Sequence, residues 1–238
     1  MDESFEDIID KALENADKIL EDYESYITDK FNAHALNNSP IFYSQLNRKS
    51  KEAKKSCLDV IISCFKKVCL AASIPLFKNI FKAFKDSISS YIGSAFSQYK
   101  SVCTSLYSKT KAASESALRE SFLKSLAEAK KKARDFMLKR EDIVISVGKR
   151  SYHLSNYIRI VLEQEVREKF NFSLLKDAKN KGAVGIRISD HNTKTKLCDI
   201  YEGKTFYFAN NGLSALRHGL PPFHINCKHF IIPIYANN

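Results

Sequence analysis

The chain has 238 residues, enough for one large domain or two small ones. Hydrophobic residues make up 44% and charged residues 27%, so a packed core on a soluble chain is expected. No run of eighteen or more uncharged apolar residues occurs, which argues against a membrane-spanning helix.

The net charge of +11 is unevenly placed. Residues 1–25 hold ten carboxylates and two lysines, whereas residues 47–140 hold twenty-one Lys or Arg against seven Asp or Glu. A basic body behind an acidic leader suits a polyanionic partner; the plainer alternative is that lysine-rich faces only solvate long helices. The acidic start, Met1 to Asp7, does not have the basic and apolar form of a secretory signal. A reduced intracellular setting is therefore expected. Of the six cysteines, Cys57, Cys64, Cys69 and Cys103 fall in apolar helical patterns, and no disulfide framework is expected.

In chain order, a leader helix is predicted over residues 3–31. Phe5, Ile9, Ala12, Ala16, Ile19, Tyr23 and Tyr26 form one stripe at coiled-coil spacing. Residues 32–50 read as a polar loop around Pro40. Helical periodicity then spans 51–73, with Cys57, Ile61, Cys64, Phe65, Val68 and Ala72 on one face, until Pro75 breaks it. A long amphipathic helix follows from Phe77, through Phe84, Ile88, Tyr91, Ile92, Phe96, Tyr99 and Cys103 to Leu106. Another is predicted over about 113–139. These aromatic stripes read as core, or as a seam against neighbouring subunits.

Only one of seven glycines, Gly93, precedes Gly148. Chain breakers are thus concentrated near the C-terminus. Ile143, Ile145 and Val147 alternate as a short strand ending at Gly148. Leu154 to Lys179 is predicted helical, with Tyr157, Val161, Leu162, Val166, Phe170 and Leu174 inward, and Lys181-Gly182 closes it. Val184, Ile186 and Ile188 alternate as a strand. Thr205–Phe208 and Phe230–Tyr235 are further strands, the last an edge because of Pro233. The expected class is α+β: a long helical N-terminal stalk or bundle over 1–140, then a small mixed α/β module with short strands over 141–238.

The chemistry is concentrated in that module. Cys198 precedes a Glu202-Gly203-Lys204 turn, and Pro221-Pro222-Phe223-His224-Ile225-Asn226-Cys227-Lys228-His229 follows. Cys198, His224, Cys227 and His229, with His191 as a substitute, form a candidate set for a tetrahedral Zn²⁺ site of the closed, structural kind. A dry Cys198/Cys227 core and a Cys198–Cys227 disulfide are the alternatives. A metal-dependent nuclease using Asp190-His191, His224, Asn226 and His229 is a second class, though no paired carboxylates accompany these residues. No phosphate-binding or dinucleotide glycine loop occurs, and no conventional catalytic constellation is legible.

The stretches Val147-Gly148-Lys149-Arg150, Tyr157 to Val161, Val184 to His191, Cys198 to Lys204 and Pro221 to His229 together resemble tailed-phage minor capsid proteins. These are the head morphogenesis proteins of the phage Mu F-like group and the related minor capsid protein 2 group. The resemblance covers residues from about 115 to the end, with Gly203, Lys204, Pro221, Pro222 and Asn226 as its structural motif. Two positions depart from the family pattern: Thr195 stands where a first cysteine is common, and His229 where a closing cysteine is common.

The resemblance implies a non-enzymatic virion protein. It would sit inside the capsid near the portal and occupy the host cytoplasm during assembly. Portal protein and major capsid protein would be its partners, with self-association possible through the helices. Non-specific contact with double-stranded DNA during packaging or delivery fits the basic charge. Lys130, Lys131, Lys132, Arg134, Lys139 and Arg140 are the first candidates for that contact.

Overall fold

The structure is a computed structural model that describes residues 4–35, 41–122, 137–192, 195–209, 213, 216 and 219–236. It is α+β, as expected. Three long helices come first: α1 (Phe5–Ala35), α2 (Ile41–Ala71) and α3 (Lys78–Phe122). A small hairpin of β1 (Ile145–Val147) and β2 (Arg150–Tyr152) follows, then helix α4 (Leu154–Asn180). The chain ends with β3 (Ala183–Ile188), the single turn α5 (Lys196–Asp199), β4 (Thr205–Tyr207) and β5 (Ile231–Tyr235). The last three strands form one antiparallel sheet in the order β4-β3-β5, so β5 is an edge.

The chain divides into two compact units, each assembled from separated segments. One comprises Met1–Glu14, Asp59–Ser90 and Arg159–Asn238; the other comprises Asn15–Leu58 and Tyr91–Ile158. Residues on both sides of position 140 contribute to the second unit.

That second unit is held by aromatic packing. Tyr107 stacks on Phe42 with ring centroids 4.4 Å apart, and Phe31 meets both rings edge-on. Tyr23 packs on Phe96 and Tyr99, and its phenol is hydrogen-bonded to Ser50 Oγ at 2.7 Å. Asn32 pins Leu138 from both sides, donating to its carbonyl at 3.1 Å and accepting its N–H at 2.8 Å.

The first unit carries the sheet. Phe65 is fully buried and stacks on Phe84 at 4.4 Å. Arg167 of α4 is buried and makes two hydrogen bonds to the Glu6 carboxylate, at 2.9 and 2.6 Å. Ile186, Ile188, Tyr201, Phe206, Leu216 and Ile231 form the sheet core. Each such aliphatic side chain contributes roughly 1.5–3 kcal/mol through burial.

Several sequence expectations need correction. The polar loop predicted over 32–50 is helical over Asn32–Ala35 and from Ile41 onward. Phe42, Leu46 and Ser50 recur every fourth residue and are buried, a helical period that the surrounding polar residues mask. The buried face of α1 includes Leu13, Leu20, Ile27 and Phe31, while Ile19 and Tyr26 are only partly covered. Residues 113–122 continue α3 without a break, and 137–139 are not helical. The middle of that predicted helix lies outside the described residues. Along α3, Tyr107 rather than Leu106 is buried, and Tyr91 is exposed. Val184 faces outward because the β3–β5 register shifts between Ala183 and Gly185, which displaces the inward alternation. Ala72 is exposed.

Candidate metal centre

Two turns bring distant cysteines together beside the end of β3. The first follows α5. Tyr201 and Glu202 both donate their backbone N–H groups to the Cys198 carbonyl, at 2.8 and 3.0 Å. Gly203 then adopts φ +70°, the left-handed conformation that glycine enters without a Cβ penalty. This lets the turn rejoin β3: the Gly203 N–H reaches the Ile188 carbonyl, and the Ile188 N–H reaches the Lys204 carbonyl. The second turn spans His224 to Cys227. The Cys227 N–H donates to the His224 carbonyl at 3.1 Å, with Asn226 at φ 64°. Asparagine is among the few residues that tolerate this conformation.

Asn171 of α4 anchors the second turn. Its side chain is fully buried and donates to the Pro221 carbonyl at 3.0 Å and, more weakly, to the His229 carbonyl at 3.5 Å. It accepts the Ile231 N–H at 2.9 Å. Ser189 adds a reciprocal pair, donating its N–H to the Phe230 carbonyl and accepting the Phe230 N–H on Oγ, both at 2.9 Å.

The outcome is a buried cluster of Cys198, Cys227 and His229, whose ligand atoms all lie within 4.8 Å of one another. The Cys198 and Cys227 Sγ atoms are 3.7 Å apart, and both cysteines are free thiols. Cys227 Sγ lies 3.4 Å from His229 Nδ1. The far nitrogen, His229 Nε2, lies 3.2 Å from Glu202 Oε1. Burial, with the Cys227 thiol alongside, pushes the Cys198 thiol well above its ordinary value. Burial also holds His229 below the ordinary imidazole range, against the opposing pull of Glu202.

These separations fit a tetrahedral metal. With Zn–S near 2.3 Å and Zn–N near 2.0–2.1 Å, tetrahedral geometry places two sulfurs about 3.8 Å apart and a sulfur and nitrogen about 3.5 Å apart. The pairs at 3.7 and 3.4 Å match within tenths of an ångström. The cluster could therefore hold a metal ion. Soft thiolates with an imidazole suit Zn²⁺ and disfavour Mg²⁺ or Ca²⁺, which take oxygen ligands.

The other predicted ligands are not in the cluster. His191 is exposed at its backbone turn; its Nε2 pairs with Ser189 Oγ at 2.9 Å, and its ring meets His229 edge-on with centroids 4.9 Å apart. His224 lies one turn before Cys227, and its Nδ1 faces the Ile225 carbonyl. Lys204 is exposed and contributes its backbone, whereas Pro221 is buried and contributes its carbonyl. Among the basic candidates, Lys130, Lys131, Lys132 and Arg134 lie outside the described residues. Lys139 is exposed, and Arg140 opens a 3-10 turn, Arg140–Asp142.

Two residues central to this geometry escape a reading of the sequence. Glu202 looks like a turn carboxylate, and Asn171 like a polar position on a helix. Asn171 falls four residues after Arg167, another polar residue on the buried face, and that i,i+4 pairing was the available signal.

No family model matches the chain, and neither a curated protein nor a solved structure matches it. Among the described residues, no helix is long and apolar enough to cross a membrane.

Proposed function

We propose that this chain is a non-enzymatic, architectural protein: a minor head protein of a tailed phage, prophage or phage-derived particle, placed near the portal. Its C-terminal strands are fastened by a structural Zn²⁺ on Cys198, Cys227 and His229. The observation that carries this reading is the burial of all three candidate ligands, with Cys227 at metal-ligand spacing from both Cys198 and His229. Ligands so enclosed present poor access to a large substrate, and a closed structural site would draw its fourth ligand from outside this cluster of three. The motif segments that suggest the family are the same ones that meet here: Cys198 to Lys204 on one side, Pro221 to His229 on the other.

The metal would contribute to folding directly, because its ligands are dispersed in the unfolded chain. The basic stretch over 47–140 would lie against packaged DNA through phosphate contacts, without reading sequence. Portal or capsid subunits would take the helical surfaces.

Two measurements test the proposal. Elemental analysis of the purified full chain should find one zinc per chain, lost in Cys227→Ser. Particles assembled from the surrounding gene set should contain the chain and lose assembly or packaging without it. A metal-free chain with unchanged stability, or phosphodiester hydrolysis that depends on His191, would overturn the architectural reading.

A further inference from the structure

We infer that Glu202 is the positioning residue of this site, making His229 a metal ligand through Nδ1 rather than Nε2. The inference rests on the metal centre proposed above and adds a fourth member that does not touch the ion.

The geometry of Glu202 is specific. Its side chain is only 9% exposed. Its backbone N–H is tied to the Cys198 carbonyl at 3.0 Å, so the carboxylate rides on the turn that carries the first thiol. One oxygen, Oε1, accepts the backbone N–H of His191 and faces His229 Nε2 at 3.2 Å. Glu202 thereby joins three strands of chain: the 198–204 turn, the exit from β3, and the segment entering β5.

The histidine tautomer follows from the acceptor. An oxygen that already receives a backbone N–H serves as an acceptor, so Nε2 supplies the proton of the second bond. In a neutral imidazole the other nitrogen then carries a lone pair. That nitrogen, Nδ1, is the one 3.4 Å from Cys227 Sγ. Without metal, the Cys227 S–H donates into this lone pair. When Zn²⁺ enters, Cys198 and Cys227 each release a proton, and the ion takes the place between sulfur and nitrogen. No redox change is involved: one dication replaces two protons.

A carboxylate on the far nitrogen of a ligating histidine fixes ring orientation and raises ligand basicity, and losing such a partner typically costs 10–100-fold in metal affinity. His191 does not take this role. Its ring is engaged by Ser189 Oγ, and it reaches Glu202 through its backbone.

The test uses the full chain, stripped with a chelator and reloaded with Zn²⁺ alone. Competition with a chromophoric chelator reads affinity, elemental analysis reads stoichiometry, and ¹⁵N-histidine NMR reads which nitrogen is bound. One zinc per wild-type chain is expected, with His229 Nδ1 ligated and Nε2 protonated. Glu202→Ala should keep one zinc and bind it 10–100-fold more weakly. Glu202→Gln, whose side-chain oxygen still accepts, should recover part of that loss. Ligation through Nε2, or equal affinity in Glu202→Ala, overturns the inference while leaving the metal centre standing. Absence of zinc from the wild type overturns both. If the variants do not fold, the nitrogen assignment in the wild type decides alone.

Discussion

Replacing Asn171 with leucine should destabilise the chain by about 2–6 kcal/mol. The side chain is fully buried and serves two backbone groups, the Ile231 N–H and the Pro221 carbonyl, at 2.9 and 3.0 Å. Leucine is close to asparagine in size, so the cavity contribution is small and lost hydrogen bonding dominates. Each buried backbone group left without a partner costs about 1–3 kcal/mol, and two such groups set the range. The 3.5 Å contact to the His229 carbonyl is long and adds little. Urea unfolding followed by circular dichroism reads the change. With a slope of about 2 kcal/mol/M, the midpoint should fall by about 1–3 M. Hydrogen exchange at the Ile231 amide gives a residue-level check, since that N–H loses its acceptor. Asn171→Asp separates the two bonds, because it keeps an acceptor for Ile231 and loses the donor for Pro221. A midpoint change worth less than about 0.5 kcal/mol, at unchanged slope, would refute the view that Asn171 secures the metal-bearing segment.

Three other outcomes are expected. Phe65→Ala, which empties a fully buried position stacked on Phe84, should cost about 3–5 kcal/mol in the same denaturation assay. Glu6→Gln should destabilise in a pH-dependent way. Burial raises the Glu6 carboxyl, but the hydrogen bonds and charge of Arg167 outweigh it and hold the group below its ordinary value. Such a group adds stability above the unfolded pKa of about 4.3 and loses it as pH falls through the lower folded value. The difference in melting temperature between wild type and Glu6→Gln should therefore be open at neutral pH and close in acid. Charge reversal at Lys130, Lys131, Lys132, Arg134, Lys139 and Arg140 should abolish duplex DNA binding at low salt. If all six contact phosphate in the wild type, the slope of log affinity against log salt should be about −5, and unchanged binding would remove DNA from the proposal.

Much of the architecture was legible because helices and strands write their period locally. The breakers Pro75, Gly148 and Lys181-Gly182 mark real ends, and the edge position of β5 follows from Pro233, which has no N–H to give a second neighbour. Errors arose where packing overrode pattern. The α2 start was hidden because Phe42, Leu46 and Ser50 are sparse among polar residues. Val184 looked inward by alternation, and a register shift turned it out.

By itself the sequence determined the α+β class, the long helices and the store of thiols and imidazoles near the C-terminus. Residue type and spacing suffice for that, since both act through neighbours a few positions away. Only the tertiary structure decided that Cys198, Cys227 and His229 meet while His191 and His224 stay outside the cluster, and that Glu202 stands behind His229. A metal set depends on atoms within about 4 Å of each other across 29 residues of chain. That distance is set by two turns, a strand ladder and one buried asparagine, none of which leaves a periodic mark in the sequence.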